Sequence, residues 1–168
     1  NLSKSSFGFT YGNYNKLEKL VNEQDIGIIK MEVCRNTRPN VKFLQQVRNL
    51  ANKKNIILIF DECTTGFRQN FGGIYKMTGV TPDIVIFGKA LGNGYPITAV
   101  LGKDEVMNAA KNSFISSTFW SERIGPVAAL KTLEIMEKKK SWIEITRLGK
   151  KLISIWKKLA NRHKVEIQ

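Results

Sequence analysis

Three charged residues stand where apolar runs end. Glu32 closes Gly27–Glu32, Asp61 closes Asn55-Ile-Ile-Leu-Ile-Phe-Asp61, and Lys89 follows Asp83-Ile-Val-Ile-Phe87 by two residues. In open α/β sheets, ligands bind beyond the carboxyl ends of parallel strands. Apolar surroundings favour the neutral amine of a lysine, and a neutral amine can attack an aldehyde to form a Schiff base. A carboxylate on a rigid strand end can stabilise a cationic ring nitrogen. Lysine and aspartate together meet the protein-side requirement of pyridoxal phosphate chemistry. A strand-end aspartate can equally cap a helix or anchor a loop, and a lysine after glycine can simply be solvated. Residue type and position leave both readings open.

The elements that position these residues follow from periodicity. Leu17, Leu20 and Val21 recur at helical spacing over about 14–24, with Asn13 as cap. Phe43, Leu44, Val47, Leu50 and Ala51 set an apolar stripe on a helix over about 41–53. The aliphatic runs at 27–32, 55–61, 83–87 and 97–101 read as strands. Their continuity suits central strands of a parallel sheet covered on both faces. Strand, crossover helix and strand make a βαβ unit. Gly66, Gly72, Gly73, Gly79 and Pro82 make 62–82 mainly loop, and Gly92-Asn93-Gly94-Tyr95-Pro96 is a strong turn signal. Helices are predicted at about 103–112, 122–138 and 141–161. The charge run at Lys138–Ser141 suggests a boundary, with a larger unit over 1–138 and the start of a second over 139–168.

The wording of two segments narrows the chemistry. Ile59-Phe60-Asp61-Glu62-Cys63-Thr64-Thr65-Gly66-Phe67-Arg68 resembles the signature of class III aminotransferases, pyridoxal-phosphate enzymes of fold type I. Pro82 to Pro96, with Gly88-Lys89-Ala90-Leu91-Gly92, resembles the lysine motif of the same family. The Thr65-Gly66-Phe67-Arg68 ending is similar to the glutamate-1-semialdehyde aminomutase branch. Ser116-Ser117-Thr118-Phe119-Trp120-Ser121-Glu122-Arg123 resembles an aminomutase-like subset. The resemblance runs from about residue 11 to the end. It implies a three-layer αβα, mostly parallel sheet (part of the large domain), followed by the start of the small C-terminal domain.

The resemblance also implies roles. Lys89 matches the lysine that holds pyridoxal 5'-phosphate as a Schiff base and moves the substrate proton. Asp61 matches the carboxylate paired with the pyridine nitrogen. Cys63 takes the place where the family usually has a valine on the ring face, and simple packing is the favoured reading. Thr118 matches the residue that reaches the cofactor phosphate of the partner subunit, so a homodimer is implied, with Ser116 and Ser117 as assistants or turn formers. Glu62 is assigned to the site wall. Arg68 either binds a substrate carboxylate or phosphate or anchors its loop. Glu32 matches the Glu of a Glu-Pro motif in which Val33 replaces proline, and Asn36 matches a nearby asparagine. Substrates are an amino donor and a carbonyl acceptor, and the choice between transaminase and aminomutase stays open.

No phosphate cradle and no ring-stacking aromatic is recognised in residues 1–60. The sequence is therefore expected to be a central portion of a longer enzyme, weak in cofactor binding and inactive by itself.

Composition bounds the alternatives. The 168 residues carry 27 Lys+Arg against 14 Asp+Glu, a net charge of +13. Residues 131–168 hold 11 of the basic and 4 of the acidic residues. No nucleic-acid-binding signature accompanies Lys138–Lys140, Lys150, Lys151, Lys157 and Lys158, so a nucleic-acid partner is not expected. No apolar run reaches the roughly 18 residues of a membrane span. Trp142, Ile145, Leu148, Leu152, Ile155, Trp156 and Leu159 form a stripe on 141–161 that fits a helix packing on a core. A single histidine, His163, excludes a His-rich metal site. Two cysteines make no disulfide framework, and a reducing, cytoplasmic setting is expected.

Overall fold

The structure, a computed structural model, describes residues 5–35, 38–116, 118–119 and 121–167. Asn36 and Ser117, both singled out above, lie outside the described residues.

Helix α1 spans Tyr14–Glu23 and is capped by Asn13, whose side chain accepts from the Lys16 amide at 3.1 Å. Strand β1 is Ile28–Glu32. Helix α2, Val41–Lys54, repeats the same capping chemistry: the Asn40 side chain accepts from the Phe43 amide at 3.1 Å. This satisfies one of the amides that a helix start leaves without a partner. Asn55 ends α2 in the left-handed region at φ 54°, a conformation asparagine tolerates better than most residues. Strands β2 (Ile57–Asp61), β3 (Ile84–Phe87) and β4 (Ala99–Gly102) complete the sheet. Short α3, Asp104–Met107, precedes α4 (Ile124–Lys139) and α5 (Ser141–His163).

The sheet order is β1-β2-β3-β4. β1, β2 and β3 run parallel, with Met31 beside Phe60 and Phe60 beside Val85. β4 returns antiparallel, pairing Ile86 with Val100. Side-chain alternation then sorts the sheet into two faces. Ile29, Met31, Leu58, Phe60, Val85 and Phe87 share one face, and all are buried. The α2 stripe of Phe43, Leu44, Val47, Leu50 and Ala51 joins Leu17 and Val21 of α1 in the core against β1 and β2. Burying each such side chain contributes about 1.5–3 kcal/mol. Phe67, Leu91 and Ala129 of α4 cover Val85 and Phe87.

Two expectations are revised. The strands are covered on one face, not both, among the described residues. On the other face Ile28 and Val100 are 55% and 52% exposed, and Ile57, Ile59, Ile84 and Ile86 are only half-buried. Second, the helix expected over 103–112 shrinks to α3 and a 3-10 turn over Asn108–Asn112. Neither piece buries a single residue, so no packed stripe sustains a longer helix.

Helices α4 and α5 meet at Lys140, which is left-handed at φ 50°. Trp142 of α5 packs on Phe71 at 5.4 Å between ring centroids. The stripe beyond it stays largely open, with Leu148, Leu152, Trp156 and Leu159 all exposed. No helix among the described residues is long and apolar enough to cross a membrane.

Candidate active site

Asp61 is the last residue of β2 and pairs in register with Ile86 of β3. Beyond β3 the chain turns through Gly88 into Lys89. The two candidate groups therefore leave neighbouring parallel strands at their carboxyl ends, where such sheets bind ligands.

Both Asp61 oxygens have donors. Oδ1 accepts from the Cys63 amide at 3.1 Å, and Oδ2 meets the Lys30 ammonium at 3.0 Å. Burial pushes this carboxyl up, but the bonds from Lys30 and Cys63 outweigh it and hold it below the ordinary carboxylate range. Asp61 is thus an anion at neutral pH, as a partner for a cationic ring nitrogen must be.

Lys89 opens a 3-10 turn with φ 45°, a left-handed conformation that is costly for a residue with a side chain. Its Nζ donates to Thr64 Oγ1 at 2.7 Å, which ties β3's end to the loop after β2. A Cβ at Gly88 would lie 3.3 Å from Cys63 Sγ and from Thr98 Cγ2, so the backbone before Lys89 packs closely on Cys63. Burial raises the Cys63 thiol, and the bond and charge of Asp61 add to this against Lys89 and Lys30. Cys63 therefore stays a neutral packing group within electrostatic reach of both candidates.

Glu62 is fully buried in the loop wall. Its carboxylate accepts from Thr65 Oγ1 and, at 2.8 Å, from the Tyr75 amide. Arg68 is exposed and makes no ion pair with a described residue; it lines a cavity of about 850 Å³ with Lys89, Asn93, Tyr95, Pro96 and Thr98. Asp61 and Cys63 lie outside that lining. Thr118 is exposed in the stretch before α4 and also lies outside it. Glu32 is paired with Arg35 at 3.5 Å and is the register partner of Asp61. Among the described residues, no cluster of His, Cys, Asp and Glu could hold a metal ion.

Two members of this site were not picked out from sequence. Thr64 sits inside the quoted motif, and its hydroxyl three residues after Asp61 was the available signal. Lys30 is the one charged residue inside an otherwise apolar strand run, Ile28-Ile29-Lys30-Met31, and that interruption was legible.

A mostly parallel sheet with helices is the fold of the fold type I pyridoxal-phosphate-dependent transferases, and the chain shares it with an acetylornithine aminotransferase of Elizabethkingia anophelis at a TM-score of 0.81 and 29% identity, covering 92% of this chain and 40% of that one. The FumI protein of Sphingopyxis sp. MTA144, solved in its PLP internal aldimine form, shares this fold at a TM-score of 0.90 and 24% identity. The match covers 96% of this chain and 41% of that one. The chain belongs to the class-III aminotransferase family, which matches residues 36–168. It is 46% identical over 114 residues to a 3-aminobutyryl-CoA aminotransferase of Cloacimonas acidaminovorans, covering 67% of this chain and 28% of the relative. It is 31% identical to a glutamate-1-semialdehyde 2,1-aminomutase of Natranaerobius thermophilus, covering 99% of this chain and 41% of the relative. The chain thus spans well under half the length of these curated relatives.

Proposed function

We propose that this chain carries the ring-binding and lysine-bearing part of a pyridoxal-phosphate-dependent aminotransferase. The observation that carries the reading is the placement of Asp61, held as an anion, and of Lys89 beyond the carboxyl ends of adjacent parallel strands. The residues fit the ring and the aldehyde of the cofactor. A carboxylate meets the ring nitrogen's requirement and an amine the aldehyde's, while Cys63 binds Asp61 through its amide and packs against Gly88, the residue before Lys89. When bound, the cofactor supplies an electron sink for the bonds around the substrate's amine-bearing carbon.

The chain's own residues divide the work. Lys89 holds the cofactor and carries a proton to and from the substrate carbon as base and then acid. Asp61 keeps a proton on the ring nitrogen. Thr64 orients the lysine through its hydroxyl. Cys63 holds Asp61 through its backbone amide. Thr118 is assigned to the cofactor phosphate of a partner subunit; the exposure of Phe114, 96%, and of Phe119 beside it supports a stretch that is covered in a homodimer. The left-handed junction at Lys140 supports a boundary between the large unit and a small one. The free cysteines fit a cytoplasmic setting.

The substrates are an amino donor and a carbonyl acceptor. A second reading, aminomutase, is supported by relatives bearing that name, including one 37% identical over 135 residues. The test is made on the full-length protein. Pyridoxal phosphate is added, borohydride fixes any adduct, and peptide mapping locates it. Label on Lys89, its loss in Lys89→Ala, and amino transfer to a separate acceptor are expected. Label elsewhere refutes the assignment. A product that keeps its nitrogen on a neighbouring carbon favours the aminomutase.

A further inference from the structure

We propose that Lys30 tunes the cofactor site by competing with the ring nitrogen for the Asp61 carboxylate. This rests on the reading of Asp61 given above. Lys30 lies on the uncovered face of β1 between Ile29 and Met31, and its Nζ is 3.0 Å from Asp61 Oδ2. The other oxygen, Oδ1, already accepts from the Cys63 amide. A ring N–H arriving at Asp61 is thus a third donor. Each carboxylate oxygen can accept two bonds, so the ring N–H either binds beside the ammonium on the same carboxylate or displaces it.

Either outcome weakens the hold of Asp61 on a protonated ring. Shared, the carboxylate has part of its charge neutralised, and a second cation sits beside the pyridinium. Displaced, the ion pair is lost when the cofactor binds. The remaining charges do not cancel the effect. Glu32, the register partner of Asp61, is engaged by Arg35. Glu62 is turned into its own loop toward Thr65 and Tyr75. Cys63 is neutral, and β3 presents Ile86 to Asp61. Lys89 is committed to the bond with the cofactor and adds no compensating anion. Lys30 is the cation in direct contact. Its side chain is 56% exposed and that of Asp61 24%, so water screens the pair and the effect is about five-fold, not a hundred-fold.

The test compares two probes on the full-length protein: pyridoxal phosphate, and its 1-deaza analogue, in which the ring nitrogen is replaced by C–H. Both make the same bond to Lys89, so the ratio of their dissociation constants isolates the Asp61 contact. In Lys30→Met the preference for pyridoxal phosphate over the analogue rises about five-fold, while Lys30→Arg keeps the original ratio. The ring signal of 15N-labelled pyridoxal phosphate moves toward the protonated form in Lys30→Met only. A purely structural role for Lys30 would change both affinities together and leave the ratio and the 15N signal in place. An unchanged ratio in Lys30→Met, or an equal change in Lys30→Arg, overturns the proposal while the site assignment stands. Failure of the unaltered protein to bind pyridoxal phosphate at Lys89 overturns the site assignment itself.

Discussion

Glu62 gives the sharpest test of how the loop beside Lys89 is held. It is fully buried, and it accepts from the Tyr75 amide at 2.8 Å and from Thr65 Oγ1. Gly73 leaves room for it, since a Cβ there would lie 2.9 Å from Glu62 Oε1. Glu62→Ala strands the Tyr75 amide and the Thr65 hydroxyl, and each buried group left without a partner costs about 1–3 kcal/mol. Taking about 3 kcal/mol for the pair, local opening becomes on the order of 100-fold more frequent. Amide hydrogen exchange at Tyr75 in the full-length protein reads this directly. Glu62→Gln keeps an acceptor for Tyr75, and the Thr65 hydroxyl can turn to accept from the new amide. Its exchange should rise less than about ten-fold, for a cost near 1 kcal/mol. The two variants also separate in pH. Burial, the largest influence, raises the Glu62 carboxyl above its unfolded value, so the folded state keeps a proton that the unfolded state releases. The stability this adds is present at low pH and is lost as pH rises through the raised value. Glu62→Gln has no such slope, so it gains on the unaltered protein as pH rises above the unfolded carboxyl value of about 4.3. Unchanged Tyr75 exchange in Glu62→Ala, or parallel stability curves for Glu62→Gln and the unaltered protein, would refute the reasoning.

Two other contacts predict measurable losses. Asp83 accepts from the Leu58 amide and from Arg48, each at 2.8 Å, and pairs with Lys103 at 2.8 Å. Burial pushes its carboxyl up, but those bonds hold it below the ordinary range. Asp83→Asn should cost about 2–3 kcal/mol at pH 7, most of it from Arg48, because Lys103 is half-exposed. Its stabilisation is present above the unfolded carboxyl value and is lost as pH falls through the folded one, so urea unfolding at pH 3 should show the gap closing; a constant gap contradicts this. Thr64→Val removes the acceptor for Lys89 Nζ. Trapping of the borohydride adduct should slow about five-fold, with Thr64→Ser near normal, and equal rates in all three proteins would remove Thr64 from the site.

The sheet and the main helices were legible because single-face periodicity and capping agree. Asn13 and Asn40 stand before apolar stripes, and both cap in the structure. The run Ile57–Phe60 reads as a strand whichever face it buries. For the same reason it could not reveal that one face lacks a cover among the described residues. Aliphatic continuity reports composition on both faces, whereas burial depends on what packs there. The short helix at 104–107 failed for a related reason. Propensity allowed ten residues, but no stripe met the core. In the candidate site, Asp61 and Lys89 were readable because each ends a rigid run. The bond from Lys89 to Thr64 and the pair between Lys30 and Asp61 were not, since both join residues far apart in sequence through side-chain direction.

Two features of this chain meet at one of the two groups. Cys63 stands in place of the usual valine, and its amide binds Asp61. Lys30 interrupts an apolar strand and binds the same carboxylate. Lys89, by contrast, follows a motif that matches throughout, and its neighbours Gly88 and Gly92 shape the turn as expected. The lysine's chemistry is common to every reaction in the family, so its surroundings have little latitude. On the proposed reading, Asp61 sets how strongly the ring draws electrons, and Lys30 acts on Asp61 rather than on the bond to lysine. This is also where most of the +13 charge proves irrelevant. Many of the lysines are solvated on α5 and the loops, whereas Lys30 and Lys89 each have a named partner at the strand ends. On the proposed reading, cofactor binding by the full-length protein should therefore respond to substitution at Lys30 far more than to neutralisation of the α5 lysines.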